Sequence, residues 1–385
     1  MRSDKEKLEK FLDKNKSIKY IRLQWVDYSG ILRARFVPIA RCLGTSSGRE
    51  ATYLTQSSLL LPISTLLLEP DWSSIRRCGF KSDHAAVMCY VDQNDDIDTS
   101  FEIEFVLLDP LNNVIEPLDS LNGYSRTAGL RAGTLDLVEE IMKALEQSSI
   151  HVLYYHAEVK DQLKIALVPQ LALKAVDSLV LAQETIRTIC VRRNLKATMT
   201  PKPTLTGPSS GLYLHFVFYS SRPAFEATFI AGILDHMSSL CAFGMANYDS
   251  YVRSVSDAAG AWIGFGTNNR DLPVRKIKDR HWEFRMMDGT ANPYLFVAAV
   301  NTELIWKDCR LFPDSMDETR RAGYGLHKRM PVTVKEALDC LKDTALKKRI
   351  GEDLLEWFIS VEDREVDEFA KMTDEQRRLR FLEYF

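Results

Sequence analysis

The chain has no uninterrupted apolar run of about 18 residues or more, so no segment reads as a membrane span. It has no apolar leader either. The opening MRSDKEKLEKFLDKNK is charged and helical in pattern, which is unlike a secretory signal. No CxxC occurs among its seven scattered cysteines, and their odd number fits reduced thiols better than a disulfide framework or a zinc site. One sign of charge does not dominate: 50 Lys and Arg stand against 53 Asp and Glu, a net charge of -3, which argues against a nucleic-acid-binding surface. Internal repeats and low-complexity tracts are also missing. These absences lead to the expectation of a cytoplasmic globular protein without nucleic-acid or membrane partners. At 385 residues it can bury a large core, and its length suggests roughly two or three domains.

What is present divides near residue 95. Ile21, Leu23 and Trp25 alternate with Arg22 and Gln24, the turn Asp27-Tyr28-Ser29-Gly30 follows, and a second strand runs from Ile31 to Val37. That is a hairpin with a glycine-containing loop. After LGTSSGRE an apolar segment ends near Pro62, and HAAVMCYV (84–91) reads as a further strand. From about residue 96, strands are separated by longer helices. The spacing predicts one over 172–194 and another, apolar on most sides and therefore buried, over 227–243. Thr333 with Glu336, and Thr373 with Gln376, are capping-box pairs opening two late helices. The last helix, QRRLRFLEYF, has an aromatic face suited to the core or to a neighbouring subunit.

The most informative stretch is FEIEF (101–105). Phe101, Ile103 and Phe105 alternate with Glu102 and Glu104, and Val106, Leu107 and Leu108 extend the strand inward. Two carboxylates then share one face. At roughly 4 Å and an effective dielectric near 20, they repel by about 4 kcal/mol. A metal, a cationic side chain or a shared proton must offset this, unless the strand is a solvated edge.

FEIEF is followed by HAEV (156–159), TPKP (200–203), SSGLYLH (209–215), AGILDH (231–236), DSYVR (249–253), NNRDLPVR (268–275) and WEFRMMDGTANPYL (282–295). In that order and spacing these segments resemble the glutamine synthetase family over about residues 18–300. The resemblance implies an α+β fold with a β-grasp domain over 1–95. A catalytic domain over 96–385 would follow, its curved antiparallel sheet lining a funnel flanked by helices. It also implies ring-shaped homo-oligomers with active sites between subunits, and divalent ions that neutralise ATP phosphates while a glutamate carboxylate is activated for attack by ammonia. Glu102, Glu104, Glu158 and Glu283 match acidic ligand positions of the family. Arg253, Arg270, Arg275 and Arg285 match its substrate- and phosphate-handling arginines.

Elsewhere the chain departs from the family pattern. Lys164 stands where a second metal-binding glutamate is found, Tyr213 where the first histidine is a ligand, and Val217 where a serine contacts phosphate. His215 retains the second histidine. Pro208-Ser209 replaces the Asn-Gly that grips substrate, and Ala259 the flap glutamate, with Asp257 close by. Thr55 replaces the ammonium-binding aspartate, and His281 an arginine. Such changes at the metal, nucleotide, glutamate and ammonium sites argue against ordinary glutamine synthesis. They point to a divergent member of the kind found in fungal specialised metabolism.

The catalytic candidates are therefore Glu102, Glu104, Glu158, Lys164, Tyr213 and Glu283. The substrate-binding candidates are Arg253, Arg270, Arg275, Arg285, His215 and Ser209. Lys164 is expected to pair with the glutamates, with a Schiff-base amine or a surface lysine on a reshaped loop as alternatives. At least one carboxyl in such a cluster is expected to be raised toward neutrality. Magnesium or manganese on the four glutamates is the cofactor candidate, and ATP is not expected. The leading function is ATP-independent acid/base chemistry on a small amine- or carboxylate-bearing molecule: condensation, cyclisation, or amide formation or cleavage. The alternatives are an ATP-dependent carboxylate–amine ligase with reduced metal binding, and a catalytically silent ring-forming binding or regulatory protein.

Overall fold

A computed structural model describes residues 3–26, 30–46, 52–55, 65–68, 70–88, 97–115, 133–158, 162–218, 223–255, 259–301, 328–342 and 346–385. The turn residues 27–29, the segment 56–62, Asp257, Cys89 and Cys309 lie outside the described residues, as does the side chain of Thr55.

The chain opens with helix α1 (Asp4–Lys14), strands β1 (Tyr20–Val26) and β2 (Leu32–Pro38) and helix α2 (Ile39–Ser46). The short pair β3 (Thr52–Thr55) and β4 (Thr65–Leu68) comes next, then β5 (Asp71–Arg77) and β6 (His84–Met88). The hairpin read from the alternation is present, and β1 also pairs with β6 in parallel, giving a mixed sheet of order β2-β1-β6-β5. That mixed small sheet is consistent with a β-grasp. Ile21, Leu23 and Trp25 join Ala85 and Val87 against Leu8 of α1 and Cys42 of α2. From β6, Ala86 and Met88 enter the main core instead. Period-2 alternation thus serves two cores from one sheet.

The larger sheet holds β7 (Ile97–Leu108), β8 (Val152–Ala157), β9 (Gln162–Leu167), β10 (Gln170–Leu171), β11 (Lys196–Thr198), β12 (Leu212–Phe218), β13 (Phe265–Thr267), β14 (Val274–Lys278) and β15 (His281–Phe284). Its main path runs β13-β14-β15-β12-β7-β9-β8, with β10 and β11 also on β7. Within this sheet the pairings among the described residues are antiparallel except β13 with β14, where the chain returns through Asn268 in the left-handed region at φ 55°. FEIEF is therefore an interior strand, and the solvated-edge alternative does not hold.

Helices cover one face: α3 (Gly133–Gln147), α4 (Ala172–Arg192), α5 (Pro223–Gly244), α6 (Val252–Val255), α7 (Pro293–Val300), α8 (Val334–Lys342), α9 (Lys347–Ile350), α10 (Glu352–Phe369) and α11 (Asp374–Tyr384). Phe101, Ile103 and Phe105 are fully buried toward these helices. Phe216 of β12 meets Phe229 of α5 at 5.5 Å and Phe284 of β15 at 5.1 Å, both edge-on. Burying three large apolar side chains is worth about 1.5–3 kcal/mol each, which exceeds the carboxylate repulsion and sets which face of β7 turns inward. The glutamates are left on the open face.

Among the described residues one stretch, Glu226–Gly244 of α5, has the length and hydropathy to cross a membrane. Within that stretch 78% is buried in the fold, which is the position of a core helix. The α11 cap is a full capping box, Thr373 and Gln376 each accepting the other's backbone N–H. At α8 only half of the expected box forms. Thr333 accepts from the Glu336 N–H, but the Glu336 carboxylate turns back to the N–H of Val332. Phe381 of the last helix packs with Phe369 and Phe385, as its aromatic face suggested.

Candidate active site

The open face of the large sheet is organised by register. Across β14, β15, β12 and β7 one row reads Arg275, Glu283, His215, Ser100. The next, across β12, β7, β9 and β8, reads Tyr213, Glu102, Ala166, Tyr154. A third reads Glu104, Lys164, His156. Side chains two residues apart on each strand share this face, so three rows make a continuous polar floor. It lines a cavity of about 500 Å³.

Lys164 stands at the centre of one half. Its Nζ lies 2.7 Å from Glu158, 3.1 Å from Glu104 and 3.2 Å from Glu102. The cation that the paired carboxylates require is thus a side chain of the neighbouring strand. Burial works against the ammonium, but the charges of Glu104 and Glu102, then Tyr213 and Glu158, outweigh it and hold its pKa above the ordinary lysine value. Three carboxylates around Nζ favour the ammonium form, which argues for the ion-pair role over the Schiff-base alternative. The surface-lysine alternative falls, because this side chain is only 9% exposed. Glu104 is fixed from behind by the backbone N–H of Gly211 at 2.6 Å. A Cβ at Gly211 would sit 2.7 Å from Nη2 of Arg253 and 2.9 Å from the Tyr213 ring, so any side chain there would displace one of them.

The other half centres on Glu283, whose two oxygens accept from Arg275 and Arg285 at 3.0 Å each. Burial would raise its carboxyl pKa, but Arg285, with His215 and Arg275, brings it below the usual value. Glu102 behaves similarly. Burial raises it, but contacts from His215, Lys164 and the Tyr154 hydroxyl hold it well below the usual carboxylate range. The expectation of a carboxyl raised toward neutrality is therefore reversed at these two positions. Each lies against more than one donor or cation, and together these outweigh desolvation.

Tyr213 lies between the two halves, its ring 4.7 Å from Lys164 Nζ and 4.8 Å from Arg285 Cζ. Burial, with the charge of Glu104, raises its hydroxyl pKa, so it is a neutral donor. His215 Nε2 approaches Glu102 at 3.3 Å, and its Nδ1 meets His281 Nε2 at 3.0 Å. Burial, helped by the nearby His215, lowers the His281 pKa to about 4.

The structure gathers Glu102, Glu104, Glu158, Lys164, Tyr213, His215, Ser209, Arg270, Arg275, Glu283 and Arg285 around this cavity, with Arg270 exposed at the rim. Arg253 is not among its lining residues. Fully buried, it donates to the backbone carbonyls of Arg285, Met286 and Met287 at 2.8, 3.0 and 2.6 Å. Its guanidinium fastens the segment after β15 rather than facing the cavity. Ser209 contributes its backbone too, its carbonyl accepting from Gln162 Nε2 at 3.1 Å.

Sequence reasoning passed over Tyr154, His156 and Gln162, all of which line the cavity. Counting back in twos from Glu158 places His156 and Tyr154 on its face, and that alternation was the available signal. It also took Tyr213 to have cost one metal site a histidine. Ligand atoms of Glu102, His215 and Glu283 nevertheless lie within 4.8 Å of one another. Two carboxylates and an imidazole suit one hard divalent cation. The neighbouring cluster of Glu104, Glu158 and Lys164 does not suit a second one, since an ammonium already stands among the carboxylates.

Residues 84–381 match the family model described as glutamine synthetase, catalytic domain. The chain is 29% identical to the FluG protein of Emericella nidulans over 100% of its own length, and spans 50% of that protein. Against the glutamine synthetase of Methanocaldococcus jannaschii it is 27% identical, with 100% of this chain and 99% of the relative covered. Among solved structures, a GmaS–ADP complex superimposes with a TM-score of 0.84 at 19% identity, covering 97% of this chain and 98% of that one. A ligand-free GmaS gives 0.83 at 20%, covering 95% and 97%. At such identities the structural likeness speaks to the fold.

Proposed function

The chain belongs to the glutamine synthetase family, and from that premise we propose that it is a repurposed member carrying out ATP-independent acid/base chemistry on a small amine- or carboxylate-bearing molecule. The single observation carrying this reading is the Lys164 ammonium, held by Glu102, Glu104 and Glu158 at 2.7–3.2 Å. Phosphoryl transfer in this family relies on divalent ions to gather the phosphate charge. A fixed ammonium at one of those positions neutralises the carboxylates but offers no open coordination site. Four carboxylates (Glu102, Glu104, Glu158 and Glu283) face three cations (Lys164, Arg275 and Arg285), so the floor is nearly neutral without any metal.

The residue roles follow from that balance. Glu102 and Glu283 stay ionised as hydrogen-bond acceptors. Tyr213 donates to a substrate oxygen, and Glu158, just beyond the end of β8 beside Lys164, is assigned the role of general base. Magnesium or manganese, if bound by Glu102, His215 and Glu283, would polarise a substrate oxygen. The working unit is taken to be a cytoplasmic homo-oligomeric ring, with residues 1–95 and 96–385 as its two domains.

A second reading, an ATP-dependent ligase using one metal, is favoured by the Glu102–His215–Glu283 cluster and by the ADP named for the GmaS complex. A screen of amines, carbonyl compounds and amides without ATP separates the two. Turnover that is lost in Glu158→Gln supports the first reading. Turnover only with ATP, with ADP released, overturns it.

A further inference from the structure

The cavity has a second character above its charged floor. Leu153, Leu167, Pro169, Pro208 and Ile277 supply apolar wall, and the edge strand β8 presents Leu153 and Tyr154 at 55% and 46% exposure. Tyr154 and His156, two apart on that strand, stack with ring centroids 5.8 Å apart and planes at 23°. The Tyr154 side chain crosses Ala166 to place its hydroxyl on Glu102. An aromatic pair and an apolar wall thus converge on one carboxylate. Glu102 is also the most open of the four acids, with its side chain 13% exposed against 3%, 7% and 3% for Glu104, Glu158 and Glu283.

We infer that β8 sets the specificity of the site, with Leu153, Tyr154 and His156 selecting an amine that carries an aryl or alkyl body and directs its ammonium to Glu102. The charge balance fits this choice. Four floor carboxylates against three floor cations leave one negative charge, which an ammonium neutralises and a carboxylate doubles. Arg270 also lines the cavity but is exposed, outside the buried floor that this count describes. Ring faces attract an ammonium and repel a carboxylate. A fully polar small substrate would leave the apolar wall uncovered.

The inference names the substrate class of the site proposed above and rests on that site being the functional one. Its test is binding, not turnover. Calorimetric titration of the whole chain compares 2-phenylethylamine, methylamine and 3-phenylpropionate. Phenylethylamine should bind roughly tenfold or more tighter than either of the others. Leu153→Asp, at an exposed position that leaves folding intact, should weaken phenylethylamine selectively. Glu102→Gln should erase the preference for amine over acid. Equal or tighter binding of phenylpropionate, or a Leu153→Asp protein unchanged toward phenylethylamine, overturns the inference. The two ideas fail separately. Selective amine binding without ATP-independent turnover would leave the inference standing and remove the proposed chemistry. Turnover of a small polar substrate without that selectivity would do the reverse.

Discussion

The Lys164 half and the His215 half of the carboxylate floor share Glu102, yet they are neutralised by different means. In the first, a buried ammonium is tied covalently to β9 and cannot leave. In the second, arginines take the oxygens of Glu283 while a histidine stands close enough for the group to hold an ion. The first half is a closed electrostatic unit, and the second can still exchange partners. One lysine on a strand thus makes part of the floor's charge permanent. The catalytic repertoire then narrows to what a fixed charge can do.

Lys164→Met should have the largest effect, because it breaks the closed half. Removing one partner of a buried ion pair costs about 3–5 kcal/mol, and here three carboxylates lose the same cation. Denaturant unfolding near neutral pH should show a loss of that order. The slope against pH should also invert. In the wild-type protein Glu102 is held below its unfolded pKa, so its contribution is present above about pH 4 and fades as pH falls further. In the variant the uncompensated carboxylates take up protons more readily than in the unfolded chain, so stability rises as pH falls from 7 toward 5. An unchanged melting temperature would show that the cluster is solvated and the two halves are alike.

Lys164→Glu sharpens the comparison by converting the closed half into the open kind. Manganese titration should give at most one site in the wild-type protein and a second in the variant. His215→Ala should weaken the first site by tenfold or more while leaving the Lys164 cluster intact. Two tight sites in the unaltered protein would refute the distinction.

The smallest effect concerns His281. Its folded pKa of about 4 lies below the unfolded value, so the unfolded chain binds more protons between about pH 6.5 and 4. Stability is therefore lost as pH falls through that window. His281→Gln should flatten this part of the thermal stability profile by a degree or two without changing the neutral value.

Much of this arrangement was legible before any coordinates. FEIEF declared a strand with two faces, and the family motifs carried the fold. Lys164 was recognisable as a counter-charge because the family resemblance implies an acidic residue at its position. The parts that were not legible depend on register and on rotamer. Alternation says that His215 and Tyr213 share a face, but only the pairing of β12 with β15 shows that His215 is the one beside Glu283. Arg253 illustrates the rotamer problem, since a motif fixes where its Cα lies and leaves the direction of a long side chain open. Its guanidinium turned toward three carbonyls that no sequence pattern marks. Tyr154 escaped for a third reason: its reach to Glu102 depends on what lies between them on another strand.

That intervening residue has a further consequence. Neighbouring strands lie about 4.8 Å apart, so β7 and β8 are separated by roughly twice that across β9, and the Tyr154 ring bridges the gap above Ala166. A methyl group is low enough for the ring to pass over. Valine or leucine at 166 would stand in its path, lift the ring away from Glu102 and turn it toward water. The aperture of the cavity is therefore gauged by a buried side chain that need not touch the substrate, and the entrance can be reset from the inner strand while its own residues stay the same.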